Sequence, residues 1–395
     1  MEFLSPATLR FIAAHREDDV QRLALSAGKH DDVDLTAALG QIAAWQTARR
    51  KLPSWAATDG LLFPPRLAME QCSSETTARY KARMAERLAG GGTLVDLTGG
   101  FGVDFAFMAK AFTKAVYVER QEVLCQVARH NFPLLGIARA QVVCGEAEDF
   151  LDNMPHADLI YLDPARRDNH GRRTFAIADC TPDVAALSPR LLQKASHVVV
   201  KLSPMLDWHK ASADLGHHVA EIHIVATANE CKELLLVMRA THQGEPLLTC
   251  VNDDQETALP ADGAAQTLEN VGYDGQQYLF EPNAALMKAG CFAWLGNTFG
   301  LNILDPNSHL FAGNDSCPAF PGRRFRIESV STMNKKQLRT ALRDISQANV
   351  SVRNFPLSAQ DLRQRLKLRD GGDTYIFGTT CRKAGHLVFV CQKTS

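Results

Sequence analysis

Hydrophobic and polar positions change rhythm along the chain. Over residues 1–50, Ala13, Ala14, Val20, Leu23, Leu25, Leu35, Leu39, Ile42 and Ala43 recur at roughly helical spacing and predict helices. The stretch 61–65 breaks that pattern. A further helix is predicted over 74–88, ended by Gly90-Gly91-Gly92. Short apolar runs then alternate with helical stretches. Strands are predicted at 93–97, 115–118, 141–144, 158–162 and 197–201. Helices fall at 103–112, 121–131, 146–153 and 207–215, with one more opened by Thr181 as cap and Pro182 at its first position. Two last strands, 221–226 and 234–239, have only a short link, which implies an antiparallel edge hairpin. Strands alternating with helices imply an α/β fold with a parallel sheet covered on both faces.

Beyond this the pattern weakens. Residues 241–290 read as strands and loops joining two domains, and 296–326, rich in Gly, Pro and Asn, as a small β-containing piece. A helix is predicted over 334–349 with Leu338, Leu342 and Ile345 on one face, then a strand over 350–355. Ser358 with Asp361 caps a helix to 368. Strands 374–381 and 387–391 form a hairpin about Ala384-Gly385.

Composition narrows the class. With 46% hydrophobic and 22% charged residues the chain of 395 residues is ordinary globular protein. No apolar run spans a bilayer and Met1–Pro6 lacks a secretory pattern, so a cytoplasmic location without membrane partners is expected. The ten cysteines form no Cys-x-x-Cys pair and read as reduced core thiols, Cys125, Cys144 and Cys391 among apolar neighbours. His217, His218 and His223 lack zinc spacing, and no metal is expected. Net charge is −1 but uneven: 321–395 holds fifteen Lys/Arg against five Asp/Glu, or +10, leaving −11 on the rest. Eight acids and no Lys or Arg lie in 241–287. A basic end segment suggests a polyanionic partner.

Four motifs carry chemistry. Asp96-Leu97-Thr98-Gly99-Gly100-Phe101-Gly102-Val103-Asp104 follows a strand and opens a helix, so its backbone can approach a ligand closely. It lacks Gly-Lys-Ser/Thr and the third glycine of a dinucleotide fingerprint. The carboxylate and adenosine of S-adenosylmethionine suit such a turn, with Asp96 orienting the loop or contacting the amino-acid end; the alternative is a tight turn without ligand. Glu119 ends the second strand, where an acid can accept both ribose hydroxyls. Glu146, after the third strand, can accept from an adenine amino group, although acids are also common at helix starts. Asp163-Pro164 ends the fourth strand at the carboxyl edge. There a carboxylate can take a hydrogen bond from a substrate N–H and aim its lone pair at a methyl group, since in-line displacement depends on alignment. Arg166 and Arg167 are placed to meet a phosphate. Lys201 ends the fifth strand at the same edge, either touching substrate or snorkelling.

These residues resemble the class I S-adenosylmethionine-dependent methyltransferases. More narrowly, 96–104 with Asp163-Pro164-Ala165-Arg166 is similar to a bacterial group with a C-terminal THUMP-like domain. Glu70-Gln71-Cys72-Ser73-Ser74-Glu75, Tyr80-Lys81, residues 349–357 and Gly371-Gly372-Asp373-Thr374-Tyr375 fit that group too. The resemblance implies a Rossmann-like seven-stranded domain over 90–240. An N-terminal helical region (1–89) precedes it. An acidic connecting segment (241–279), a ferredoxin-like piece (280–326) and a basic THUMP-like α+β domain (327–395) follow. It implies S-adenosyl-L-methionine held by Asp96, Thr98, Gly100, Phe101, Gly102, Glu119 and Glu146, catalysis at Asp163 and Pro164, and substrate contacts from Arg166, Arg167, Lys201 and Arg353. It also implies an RNA substrate, tRNA or rRNA, methylated on a base nitrogen. The alternatives are a small-molecule or protein substrate, or a non-catalytic RNA-binding protein retaining the fold. One departure stands out: Ala165-Arg166 replaces the Pro-aromatic pair of base amino-methyltransferases, so a guanidinium plane would have to do the stacking.

Overall fold

The structure is a computed structural model that describes residues 4–26, 32–166, 177, 180–262, 267 and 270–394. The chain divides into two units, Met1–Ile222 with Lys232–Gly244, and His223–Cys231 with Glu245–Ser395.

The first unit begins with α1 (Pro6–His15), α2 (Val20–Ser26) and α3 (Leu35–Lys51). Ser5 caps α1 by accepting from the Thr8 N–H, and Asp34 caps α3 by accepting from Ala37. Phe11, Ala38 and Ile42 form a small core with Val20, Leu23 and Leu35 against it, which uses several of the periodic positions. Three more helices follow: α4 (Pro53–Ala56), α5 (Arg66–Gln71) and α6 (Glu75–Ala89), the last capped by Ser74. Next come β1 (Thr93–Asp96), α7 (Val103–Met108), β2 (Lys114–Glu119), α8 (Glu122–Leu134), β3 (Gln141–Cys144), α9 (Ala147–Asn153) and β4 (Ala157–Leu162). After them run β5 (Ala165–Arg166), β6 (Cys180–Thr181), α10 (Val184–Lys194), β7 (Ala195–Leu202), α11 (Trp208–Leu215), β8 (Val219–Thr227) and β9 (Glu230–Met238).

The expected seven strands stand in the order β8-β9-β7-β4-β1-β2-β3. Strands β7, β4, β1, β2 and β3 are parallel, and β9 runs antiparallel to β7. The central strands β1, β2 and β4 are buried almost throughout, as parallel strands covered on both faces must be. Their carboxyl ends, at residues 96, 119 and 162, share one edge.

Two details depart from expectation. Thr181 does not cap a helix: it pairs with Ala165 in the β5–β6 ladder, and Asp183 caps α10 by accepting from the Ala186 N–H at 3.1 Å. Nor is the β8–β9 hairpin the sheet edge, because a further strand lies beside β8.

That strand, β10 (Leu247–Asn252), belongs to the second unit, as does β8 from His223 onward. It forms a hairpin with β11 (Gln255–Pro260). Then come β12 (Tyr278–Pro282), α12 (Ala284–Ala289), α13 (Phe292–Phe299), β13 (Asn302–Ile303), β14 (Phe311–Gly313) and β15 (Gly322–Thr332). The unit closes with α14 (Lys335–Ala341), β16 (Asn349–Arg353), α15 (Ala359–Leu366), β17 (Thr374–Cys381) and β18 (Gly385–Lys393). One seven-stranded sheet, β13-β14-β12-β15-β18-β17-β16, runs through it. Leu279, Phe325, Phe377 and Phe389 are among the core residues of that sheet. Helix α14 is shorter than predicted; Leu342 and Ile345 reach the Ala348–Ile376–Val388 core from a turn rather than from the helix. Of the three cysteines expected in apolar surroundings, Cys125 and Cys391 are buried and Cys144, on the edge strand β3, is exposed. No helix among the described residues is long and apolar enough to cross a membrane.

Candidate active site

The turn after β1 is shaped by what lies beneath it. A Cβ at Gly99 would sit 2.1 Å from the Tyr117 ring, so only glycine lets the loop rest on that ring. The Tyr117 hydroxyl donates to the Gly100 carbonyl and fixes the loop from below. Gly100 has φ +55°, and a Cβ there would meet only the Thr98 carbonyl oxygen, at 3.8 Å. Gly102, at φ +82°, starts α7 over Phe132. Phe101 turns inward, edge-on to Trp55 at 5.0 Å between ring centroids.

Asp96 is buried, and its Oδ1 accepts the Thr98 N–H at 2.9 Å within the loop. Burial pushes its carboxyl well above the usual range. The Thr98 hydrogen bond opposes that shift, while the neighbouring acids Asp104, Asp163 and Glu119 add to it. Thr98 in turn ties the first strand end to the fourth, its Oγ1 accepting the Asp163 N–H at 2.6 Å.

Glu119 closes β2, 7% exposed, with each carboxylate oxygen anchored: Oε2 accepts from Gly100 N–H and Oε1 from Gln121 N–H, both at 2.8 Å. Each oxygen keeps a lone pair for a further donor. The Gly145 N–H donates to the Glu119 carbonyl at 3.0 Å, which brings the end of β3 alongside. Glu146 is exposed at the start of α9, and its side chain makes no capping bond. The structure thus gathers residues 96–102, Glu119, Glu146 and Asp163 at one carboxyl edge.

Asp163 keeps 39% of its side chain exposed, beside the buried Pro164. Its Oδ2 receives the Lys201 ammonium at 2.6 Å. Lys201 does not snorkel: only 12% of its side chain is exposed, and its Nζ also lies 3.7 Å from Asp104 Oδ2. Burial alone would lower the Lys201 pKa; the carboxylates of Asp163, Asp104 and Glu233 outweigh it and hold the ammonium protonated.

Behind this pair lie charges that the sequence reading did not single out as site residues. Asp104 Oδ2 accepts from Tyr161 and Ser73 hydroxyls, each at 2.8 Å. Lys81, fully buried on α6, donates to both Glu233 oxygens at 2.6 and 2.7 Å and to Ser73 Oγ at 3.0 Å, and stands 3.1 Å from Asp104 Oδ1. Burial would raise the Asp104 carboxyl, but the two ammoniums and two hydroxyls hold it below its ordinary value. Burial pushes the Glu233 carboxyl up.

Three further residues were expected to contact substrate: Arg353, Arg166 and Arg167. Arg353 belongs to the second unit, where its guanidinium meets Glu281 Oε1 at 3.0 Å and Arg323 holds Oε2 of the same buried acid. The Arg166 side chain and Arg167 lie outside the described residues.

Known proteins agree with this architecture. Residues 278–321 match a ferredoxin-like domain model and 322–393 a THUMP domain-like model. An uncharacterized S-adenosylmethionine-dependent methyltransferase of Mycobacterium tuberculosis, found in two strains, is 28% identical over 309 residues, 76% of this chain and 80% of the relative. A solved structure from Porphyromonas gingivalis W83, named a methyltransferase, is 34% identical, covers all of both chains and superposes with a TM-score of 0.88. The open glycine loop, the anchored acid at the end of β2 and the buried Asp96 fit the donor that these relatives use. The chain therefore belongs to the class I S-adenosylmethionine-dependent methyltransferases that carry a ferredoxin-like and a THUMP-like C-terminal module.

Proposed function

We propose that this enzyme methylates a nitrogen of an RNA base, in tRNA or rRNA. The THUMP-like match over residues 322–393, falling on the segment that carries +10, is the observation that carries this reading. THUMP domains of related enzymes bind RNA, and a surplus of Lys and Arg suits a phosphate backbone.

S-adenosylmethionine supplies a methyl group on a cationic sulfur, so the leaving group is neutral and no metal is called for. Glu119 would hold the two ribose hydroxyls on its remaining lone pairs, the loop 98–102 would carry the amino-acid end, and Glu146 would accept from the adenine amino group. Asp163 would take a hydrogen bond from the N–H of the base, turn the nitrogen lone pair toward the methyl group and accept the proton that the nitrogen gives up; alignment of this kind can supply much of a rate enhancement. Lys201 keeps Asp163 in one position.

Nucleoside mass spectrometry of total RNA from a deletion strain and its parent tests this. One methylated nucleoside should vanish in the deletion strain. Identical nucleoside profiles would sink the RNA reading and leave a small molecule or protein as substrate.

A further inference from the structure

The segment ahead of the catalytic sheet carries Ser73 and Lys81, which no step above uses. We propose that Lys81 and Asp104 are positioning residues for methyl transfer, setting the Lys201 ammonium and, through it, the Asp163 carboxylate. This rests on the reading of Asp163 as the group that faces substrate.

The charges form a graded series. Lys81 is fully buried, the side chains of Glu233 and Asp104 are 3% and 10% exposed, Lys201 is 12% exposed, and Asp163 opens to 39%. Lys81 bridges Glu233 and Asp104; Asp104 and Asp163 flank Lys201. Two ammoniums among three carboxylates leave one negative charge, and Asp163 is the most exposed of the five. Such a series is a poor way to fill a core. Buried ion pairs rarely beat aliphatic packing in stability, whereas they fix geometry. Perturbed ionisable groups converging on a catalytic edge are the usual mark of function.

Asp104 is the hinge of the series. Its Oδ2 is fully used by Ser73 and Tyr161, with Lys201 approaching at 3.7 Å, while Oδ1 meets Lys81 as a charge without a well-directed hydrogen bond. Its orientation is therefore set from α6 and β4, and its charge is directed at Lys201. Without that charge Lys201 would keep Asp163 as its one acid within 4 Å, with Glu233 acting from farther off, and the pair would be free to swing together toward solvent.

The test uses the full chain, deuterated and carrying 15N-labelled lysine, because a buried ammonium gives a protected NH3+ signal that needs no substrate. The Lys201 signal is assigned by its loss in Lys201→Met. In Asp104→Asn, which retains acceptors for Ser73 and Tyr161, that signal should shift and exchange with water at least tenfold faster. A Lys201 signal unchanged in a folded Asp104→Asn protein overturns the proposal. Lys81→Met leaves Glu233 uncompensated and can fail to fold, so Lys81→Met is paired with Glu233→Gln. That double variant should move the Lys201 signal in the same way, and an unmoved signal again counts against the series.

A second arm measures tritium passing from methyl-labelled S-adenosylmethionine to RNA of the deletion strain. Asp104→Asn should lose at least tenfold in kcat, with KM and S-adenosylhomocysteine affinity within threefold of wild type. Lys81→Arg should recover more of the rate than Lys81→Met with Glu233→Gln. If the wild-type enzyme labels no RNA, the substrate reading fails, while the ammonium spectra still decide the role of Lys81 and Asp104.

Discussion

Glu119 and Asp163 are both acids at strand ends, yet their surroundings assign them opposite work. Glu119 is nearly enclosed and already holds two backbone N–H groups, so its removal slackens the loop as well as the ribose contact proposed for it. Hydrogen bonds to a charged group contribute about 1.5–3 kcal/mol each. Glu119→Ala should therefore weaken S-adenosylhomocysteine binding by about tenfold or more in calorimetry. Asp163 touches the loop through its backbone N–H, which Asp163→Ala keeps. That variant should bind the donor product within about threefold of wild type while losing methyl transfer. Equal losses of affinity in the two variants would undo this division of labour. Both acids could be read from the sequence because each follows an apolar run and stands beside a turn. Glu233 could not. It is one acid at the mouth of a buried strand, and its partner Lys81 lies 152 residues away, beyond the reach of any local pattern. Arg353 adds a partner that the sequence did not reveal: its guanidinium pairs with Glu281, 72 residues earlier in the chain.

Among the elements, α6 illustrates how a helix can be legible while its purpose is hidden. Its periodicity and its closing glycines predicted 74–88, and the helix runs Glu75–Ala89. Its first turn is bound by Glu75, whose carboxylate accepts from the Ser54 N–H and hydroxyl at 2.8 Å and pairs with Arg79. Burial would raise that carboxyl, but these partners hold it below its ordinary value. A depressed carboxyl contributes stability that is complete above the unfolded-state pKa and lost as pH falls through the folded one. Melting temperature should accordingly drop on acidification below the ordinary glutamate range, and Glu75→Gln should be less stable at neutral pH yet lose less on acidification. An acid limb of the same depth in Glu75→Gln would exclude this anchor as its source. Helix α10 shows why boundaries are harder. The sequence reading starts this helix at Thr181-Pro182, whereas Asp183 caps it, because the β5–β6 ladder, a tertiary contact, takes Thr181 for itself.

On the scale of the whole chain, the parallel order of β7, β4, β1, β2 and β3 was foreseeable from alternation alone. The second unit was not. The resemblance implies its ferredoxin-like and THUMP-like stretches as separate pieces, yet β12 and β15 pair along five residues and share one sheet. Glu281 on β12 reaches across the join to Arg323 on β15 and Arg353 on β16, so an acid 2% exposed is matched by two half-buried guanidiniums. Glu281→Ala would strand both arginines, at a cost of about 2 kcal/mol or more once their partial exposure is allowed for. Differential scanning calorimetry should show the transition of this unit moved down by several degrees while that of the other stays put. A shift below one degree would mean that the clamp is dispensable.

The same division gives a rule for anyone exchanging modules between relatives. The second unit is not a continuous tail: it includes His223–Cys231, contributed from within a hairpin whose flanks, up to Ile222 and from Lys232, belong to the catalytic unit. A chimaera cut at residue 321 would split a sheet, and one cut at 244 would leave nine residues of the recipient's own hairpin tip inside a foreign core. Transplants should therefore carry that tip along with everything after Gly244, and natural recombination at either simpler boundary should leave few survivors.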